Sequence, residues 1–293
     1  MQTYRAAAAL APAKGDPIEA ALSLRGKGRL EEALAALSGA EEFSQDVCVL
    51  RGDLQRELGR IQDAVSSYST VIAFESGNVY ARYNLALCLR RLKRWEAAAE
   101  AFRKLLAYDS HRDSARIGLG DCLLHLNRLE EALACFDACW SEGAQTRALF
   151  GKAVALQMLG RLEEAESAYE RLLTLDPKME EAFSNLIALS MKRLDLVRVH
   201  RYALRLLELC PESPVALQGL VAAAVERFEY ESAAGYWARL ARQRTNDRSR
   251  PEEDLKEGID YHLSADMADR LHRMGRDGSG PERRAWDRAT GGQ

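Results

Sequence analysis

The chain has 293 residues, 47% apolar and 29% charged, with 41 Lys and Arg against 44 Asp and Glu. This is a soluble composition with ample material for a core, and a net charge of −3 argues against a dedicated nucleic-acid binder. Seven prolines, none between Pro17 and Pro177, argue against all-β and Pro-rich architectures, and six scattered cysteines form no disulfide framework.

In chain order, residues 1–13 form an N-terminal segment. Its apolar part, Ala6 to Ala11, is short and Ala-rich, a weak mimic of an export signal, so a cytoplasmic protein with reduced thiols is expected. No apolar run approaches the roughly 18 residues of a membrane span, so no membrane insertion is expected. From residue 14 a unit recurs. Gly28-Arg29-Leu30-Glu31-Glu32-Ala33 returns as Gly59 to Ala64, Lys93 to Ala98, Asn127 to Ala132 and Gly160 to Ala165. The alanine falls at 33, 64, 98, 132 and 165, and a large apolar residue follows four later: Leu37, Tyr68, Phe102, Phe136 and Tyr169. The same period leads on to Val199 with Ala203 and Ala233 with Trp237. Between these markers the apolar residues keep helical spacing, as in Leu85, Leu89 and Leu92, or Leu162, Ala165, Tyr169 and Leu172.

A period near 34 residues with small and aromatic residues at fixed offsets resembles the tetratricopeptide repeat family. The resemblance implies antiparallel helix pairs, A then B, with small residues at positions 8 and 20 and an aromatic at 24. Seven repeats begin at Lys14, Gln45, Val79, Asp113, Thr146, Glu180 and Pro214. The expected fold is all-α, a right-handed superhelical solenoid of antiparallel helix pairs spanning residues 14–247. One pair cannot bury its apolar face alone, so neighbours stack. Gly or Asn ends each helix A in the left-handed conformation, and Lys93, Leu194 and Phe228 depart from this. The sixth repeat diverges most, at Ile187, Leu194, Val199 and Ala203, so its register is expected to hold while its packing shifts. Residues 248–275 are read as a C-terminal capping helix with the stripe Leu255, Ile259, Leu263 and Met267, and residues 276–293 as a disordered tail.

Nothing in the repeats supports catalysis, so no enzyme and no cofactor are expected. The sharpest chemical cluster is Cys122 and His125 with Cys135 and Cys139, four soft groups on facing helices. Cys122 and Cys139 fall at core positions of the repeat, so these cysteines are expected to be buried, reduced and metal-free. Paired glutamates such as Glu31-Glu32 and Glu163-Glu164 read as solvated charges suited to a helix N-terminus.

In the family, positions 2, 5, 9, 12 and 13 of helix A line a concave groove. That implies a partner-binding surface of Tyr80, Tyr83, Leu87, Arg90, Arg91, Ile117, Leu124, His125, Arg147, Phe150, Val154 and Met158, with Asp121 among them. Apolar and aromatic anchors edged by arginine suit a peptide. The family's clamp for acidic chaperone tails is not expected: Asn84 and Asn185 match one position, but Val49 with Asp53, and Phe150 with Val154, replace its other residues. The function expected is that of a non-enzymatic adaptor holding a protein or peptide in the groove. The alternative is an accessory factor for assembly or maturation of a specific enzyme or membrane complex.

Overall fold

The computed structural model describes residues 16–39, 44–109, 112–227, 229, 232–233, 235–237 and 239–240. The expected capping helix and tail lie outside the described residues. The chain divides into two compact units at Leu159 and Gly160. Among the described residues there are thirteen bounded α-helices and no strand.

Unit 1 holds α1 (Pro17–Gly26), α2 (Leu30–Ala36), α3 (Gln45–Glu57), α4 (Ile61–Phe74), α5 (Val79–Arg91), α6 (Trp95–Tyr108), α7 (Asp113–His125), α8 (Leu129–Asp137) and α9 (Glu142–Met158). Unit 2 holds α10 (Leu162–Leu175), α11 (Glu180–Lys192), α12 (Leu196–Leu209) and α13 (Pro214–Glu226), followed by helical residues within 232–240. Within each unit consecutive helices pack on one another.

Helix starts follow local chemistry. Asp16, Asn78 and Ser213 accept hydrogen bonds from the exposed N–H groups of α1, α5 and α13, and Pro17 and Pro214 open helices where no N–H is needed. Helix ends repeat one motif. The N–H of Arg29, Arg60, Arg94, Arg128 and Asp195 donates to the carbonyl of Leu24, Gln55, Leu89, Leu123 and Ser190 respectively, five residues back. The residue before each donor is left-handed: Gly28, Gly59 and Asn127, and also Lys93 (φ 56°) and Leu194 (φ 57°). At Lys93 and Leu194 the expected departures are therefore departures of residue type only, and Phe228 lies outside the described residues. The backbone geometry is kept, at the cost of strain in two residues with a Cβ.

The core is the repeat pattern made solid. The alanines at 33, 64, 98, 132 and 165 are fully buried, as are Leu37, Tyr68, Phe102 and Tyr169. The small residues matter through contact. A Cβ on Gly52 would lie 2.8 Å from the Tyr68 ring, and one on Gly120 2.6 Å from the Phe136 ring. Successive repeats are joined the same way, since a Cβ on Gly118 would lie 2.4 Å from Phe102 and one on Gly151 2.4 Å from Phe136. Phe136 is thus seated between two glycines of different helices.

The sixth repeat keeps its register, with Ile187, Val199 and Ala203 all buried. Here the sizes are exchanged: a large residue stands at position 8 and a small one at position 24. Gly219 of α13 completes the packing, its Cβ site 3.1 Å from Val199 and 3.2 Å from Ile187. A core needs total volume and close fit rather than one particular order of sizes.

The fifth repeat begins earlier than its register. Helix α9 starts at Glu142, four residues before Thr146. The buried carboxylate of Asp113 accepts the N–H groups of Trp140 (3.2 Å) and Ser141 (2.8 Å) and pairs with Arg116 (2.6 Å). That fixes the chain between α8 and α9, so α9 propagates from residue 142.

Candidate interaction cavity

Four helix-A elements and their turns enclose a cavity of ≈1020 Å³ within unit 1. Its apolar lining comes from Leu87 of α5, Leu124 of α7 and Val154 and Met158 of α9, with Ile61 at the start of α4. Its charged lining is Arg56, Arg90, Arg91, Lys93 and Arg147 against one carboxylate, Asp121. Trp95 and His125 complete it, their rings stacked at 3.9 Å between centroids and 12° between planes.

Helix periodicity explains the lining. Positions 9, 12 and 13 of one helix A lie on one face (three and four residues apart), and stacking aligns that face from repeat to repeat. Arg90 donates to Asp121 at 2.8 Å, one repeat on. Burial pushes the Asp121 carboxyl above its ordinary range, and Arg90, Arg147 and His125 act in the opposite sense. Arg91, Lys93 and Arg147 are exposed, and among the described residues they make no ion pair. Arg56 Nε is buried without an acceptor among the described residues.

Eight of the twelve residues expected on the groove line this cavity: Leu87, Arg90, Arg91, Leu124, His125, Arg147, Val154 and Met158. The other four sit elsewhere. Tyr80 is 39% exposed, and its hydroxyl donates to the buried carboxylate of Asp53 (2.8 and 2.9 Å), which Tyr68 also reaches at 2.6 Å. Burial first, then the Asp53 charge, pushes the Tyr80 hydroxyl up to about 12. Tyr83 packs edge-on against Phe102 at 6.2 Å, with the Arg112 guanidinium 4.7 Å above its ring. Ile117 is 2% exposed, a core residue with almost no surface to offer. Phe150 is half-buried in α9.

Five further residues line the cavity: Arg56, Ile61, Cys88, Lys93 and Trp95. Arg56 stands at groove position 12 of the second repeat, so its signal was present in the sequence, whereas Ile61 and Trp95 sit at helix-B starts, outside the five groove positions. Lys93 carried a signal, since it replaces the glycine of the turn.

The cysteines differ in part from expectation. Cys122 is fully buried, and burial raises its thiol to about 11. Cys135 and Cys139 are only half-buried. The short helix α8 ends at Asp137, so Cys139 lies beyond it, its thiol 3.4 Å from the Cys135 carbonyl. Among the described residues no three His, Cys, Asp or Glu side chains are placed to hold a metal. No described helix is long and apolar enough to cross a membrane. The paired glutamates have a further role: Glu32, Glu131 and Glu164 each take a two-pronged bond from the arginine three residues earlier.

Fold and cavity together define an all-α helix-pair repeat protein with a concave, cationic and apolar recess. Three family models, each described as tetratricopeptide repeat, match residues 49–112, 89–155 and 146–179. The chain belongs to the tetratricopeptide repeat family. A search of the curated proteins gave no match. Among solved structures, it is similar to a tetratricopeptide repeat protein from Parabacteroides merdae (20% identity, 82% of this chain and 95% of that one, TM-score 0.61). It is similar also to PilF of Pseudomonas aeruginosa (18%, 68% and 91%, 0.57). A third is YrrB, described as a tetratricopeptide repeat protein with an unusual peptide-binding site (19%, 63% and 96%, 0.53). At these identities the likeness is one of fold.

Proposed function

We propose that this chain is a non-enzymatic interaction adaptor whose unit 1 cavity receives a peptide segment of a protein partner. The observation that carries this reading is the cavity: ≈1020 Å³, open, with an apolar floor from three helices and polar groups around it. That is at the upper end of the 300–1,000 Å³ range of small-molecule sites, large enough for several side chains. Repeat folds offer such concave faces for extended ligands, and the peptide-binding site described for YrrB is consistent with that use here.

The test is a comparison of wild type with Leu124→Trp plus Val154→Trp. Both residues are half-buried on the cavity wall, so the added uncharged indole rings fill the recess without changing its charge. With circular dichroism showing both proteins folded, affinity purification from the native cell should lose its main partner in the variant. Partners retained in full would place binding on another surface.

A further inference from the structure

We infer that the ligand of this cavity is an acidic peptide segment, one whose Asp and Glu side chains flank an apolar residue. The inference rests on the adaptor reading and adds the chemistry of the partner to it.

The charge of the recess is not the charge of the chain. The whole chain is acidic by three charges. The cavity lining holds five Lys and Arg and one Asp. A wall of one sign beside low-dielectric residues focuses its field into the recess and draws in the opposite sign. One of the cations is already paired, Arg90 with Asp121. Arg91 ends α5, Lys93 stands in the turn after it and Arg147 belongs to α9, two repeats on; all three are exposed to an incoming ligand. Cations spread in this way suit several side-chain carboxylates along an extended segment better than one terminal carboxylate.

Lys93 strengthens the case. It stands where Gly28, Gly59 and Gly160 relax the turn, holds a left-handed backbone, and lines the cavity. A strained residue at a recess is a mark of a site. Leu87, Leu124, Val154 and Met158 supply the apolar seat between the charges, and that seat favours a peptide over a nucleic-acid strand.

The experiment uses the full-length chain and a naive dodecapeptide phage library, whose peptides are fused at their C-termini and so offer side-chain carboxylates only. The library is panned against wild type, against Leu124→Trp plus Val154→Trp, and against Arg91→Glu plus Arg147→Glu. Both glutamate substitutions fall at exposed positions, and circular dichroism verifies the fold of each variant. Wild type should enrich peptides rich in Asp and Glu around an apolar residue. A fluorescein-labelled winner should bind the charge-reversed variant at least tenfold more weakly, and should weaken as salt rises. Peptides that depend on the recess but are neutral or basic would overturn the acidic inference and leave the adaptor reading standing. No recess-dependent peptide would overturn both. A labelled twelve-nucleotide thymidine strand bound more tightly than the best peptide would also overturn it, in favour of a nucleic-acid ligand.

Discussion

Helix propensity and packing give opposite signs for Gly151→Ala, and the structure decides between them. Glycine inside a helix costs about 1 kcal/mol relative to alanine, so propensity alone predicts stabilisation. The new Cβ, however, would lie 2.4 Å from Phe136 Cζ and 2.5 Å from its Cε1. Favourable carbon contacts lie near 3.5–4.0 Å, so the ring must retreat by about 1 Å. Its retreat is limited, because the same ring edge also lies against the Gly120 backbone, so closely that a Cβ there would fall 2.6 Å from Phe136 Cε1 and Cζ. Overpacking of this kind costs roughly 1–3 kcal/mol. The expected net effect is a loss of up to about 2 kcal/mol, or a few degrees in Tm for a chain of this size. The control lies in the same helix: a Cβ at Gly143 meets nothing within 4 Å, so Gly143→Ala should be neutral or slightly stabilising. Thermal and urea unfolding followed by circular dichroism measure both. Adding Phe136→Leu to Gly151→Ala should cost less than the two single changes together, because the smaller side chain relieves the overlap. A Gly151→Ala protein more stable than wild type by the full propensity gain of about 1 kcal/mol would refute the close ring-to-backbone contact between repeats.

Three further outcomes are expected. Leu194 is 81% exposed and left-handed, so Leu194→Gly should relieve about 1–2 kcal/mol of backbone strain against about 0.5–1 of added unfolded-state freedom, a net gain of up to about 1.5 kcal/mol in unfolding experiments; a loss would contradict the geometry. Burial raises the Asp113 carboxyl, but bonds from Ser141, Trp140 and Arg116 outweigh it and hold the group below its ordinary value. Its stabilisation is therefore full above about pH 4 and lost as pH falls through the lowered value; Asp113→Asn should cost about 1–3 kcal/mol at pH 7 and flatten the acid limb of a stability–pH curve. With its thiol raised to about 11 by burial, Cys122 should resist iodoacetamide at pH 8 until the chain unfolds, and peptide mass spectrometry showing early labelling would count against the packing.

The repeat was legible because it rests on volume and period. An alanine every 31–34 residues with an aromatic four later has one physical use, close approach of two helices beside a ring, and the buried series from Ala33 to Ala165 fulfils it. The sixth repeat was harder to read because Ile187 and Ala203 exchange sizes while conserving the fill, and pattern matching sees residue types rather than summed volume. The groove was legible at positions 9, 12 and 13, where facing is set by helical period alone. It failed at Ile117 and Tyr83, because whether position 5 faces the recess or the neighbouring helix depends on how closely the two repeats stack. Glycines such as Gly118 bring that stacking closer than a repeat with a Cβ there allows.

The turns show where fold and function separate. Among the described residues the backbone is left-handed at six turns, and three of them use glycine, which adopts it freely. Asn127 tolerates it, while Lys93 and Leu194 pay in strain. Strain alone does not mark a site, since Leu194 has the same backbone and lies outside the cavity. What distinguishes Lys93 is that it lines the same recess as Arg91 and Arg147, together with Leu87, Leu124 and Val154. The same replacement by glycine should therefore give unlike results at the two turns. Leu194→Gly should raise stability with acidic-peptide affinity unchanged. Lys93→Gly should raise stability by a similar amount and weaken that affinity. A stabilised Lys93→Gly protein with unaltered affinity would remove Lys93 from the site and leave its strain without a functional account.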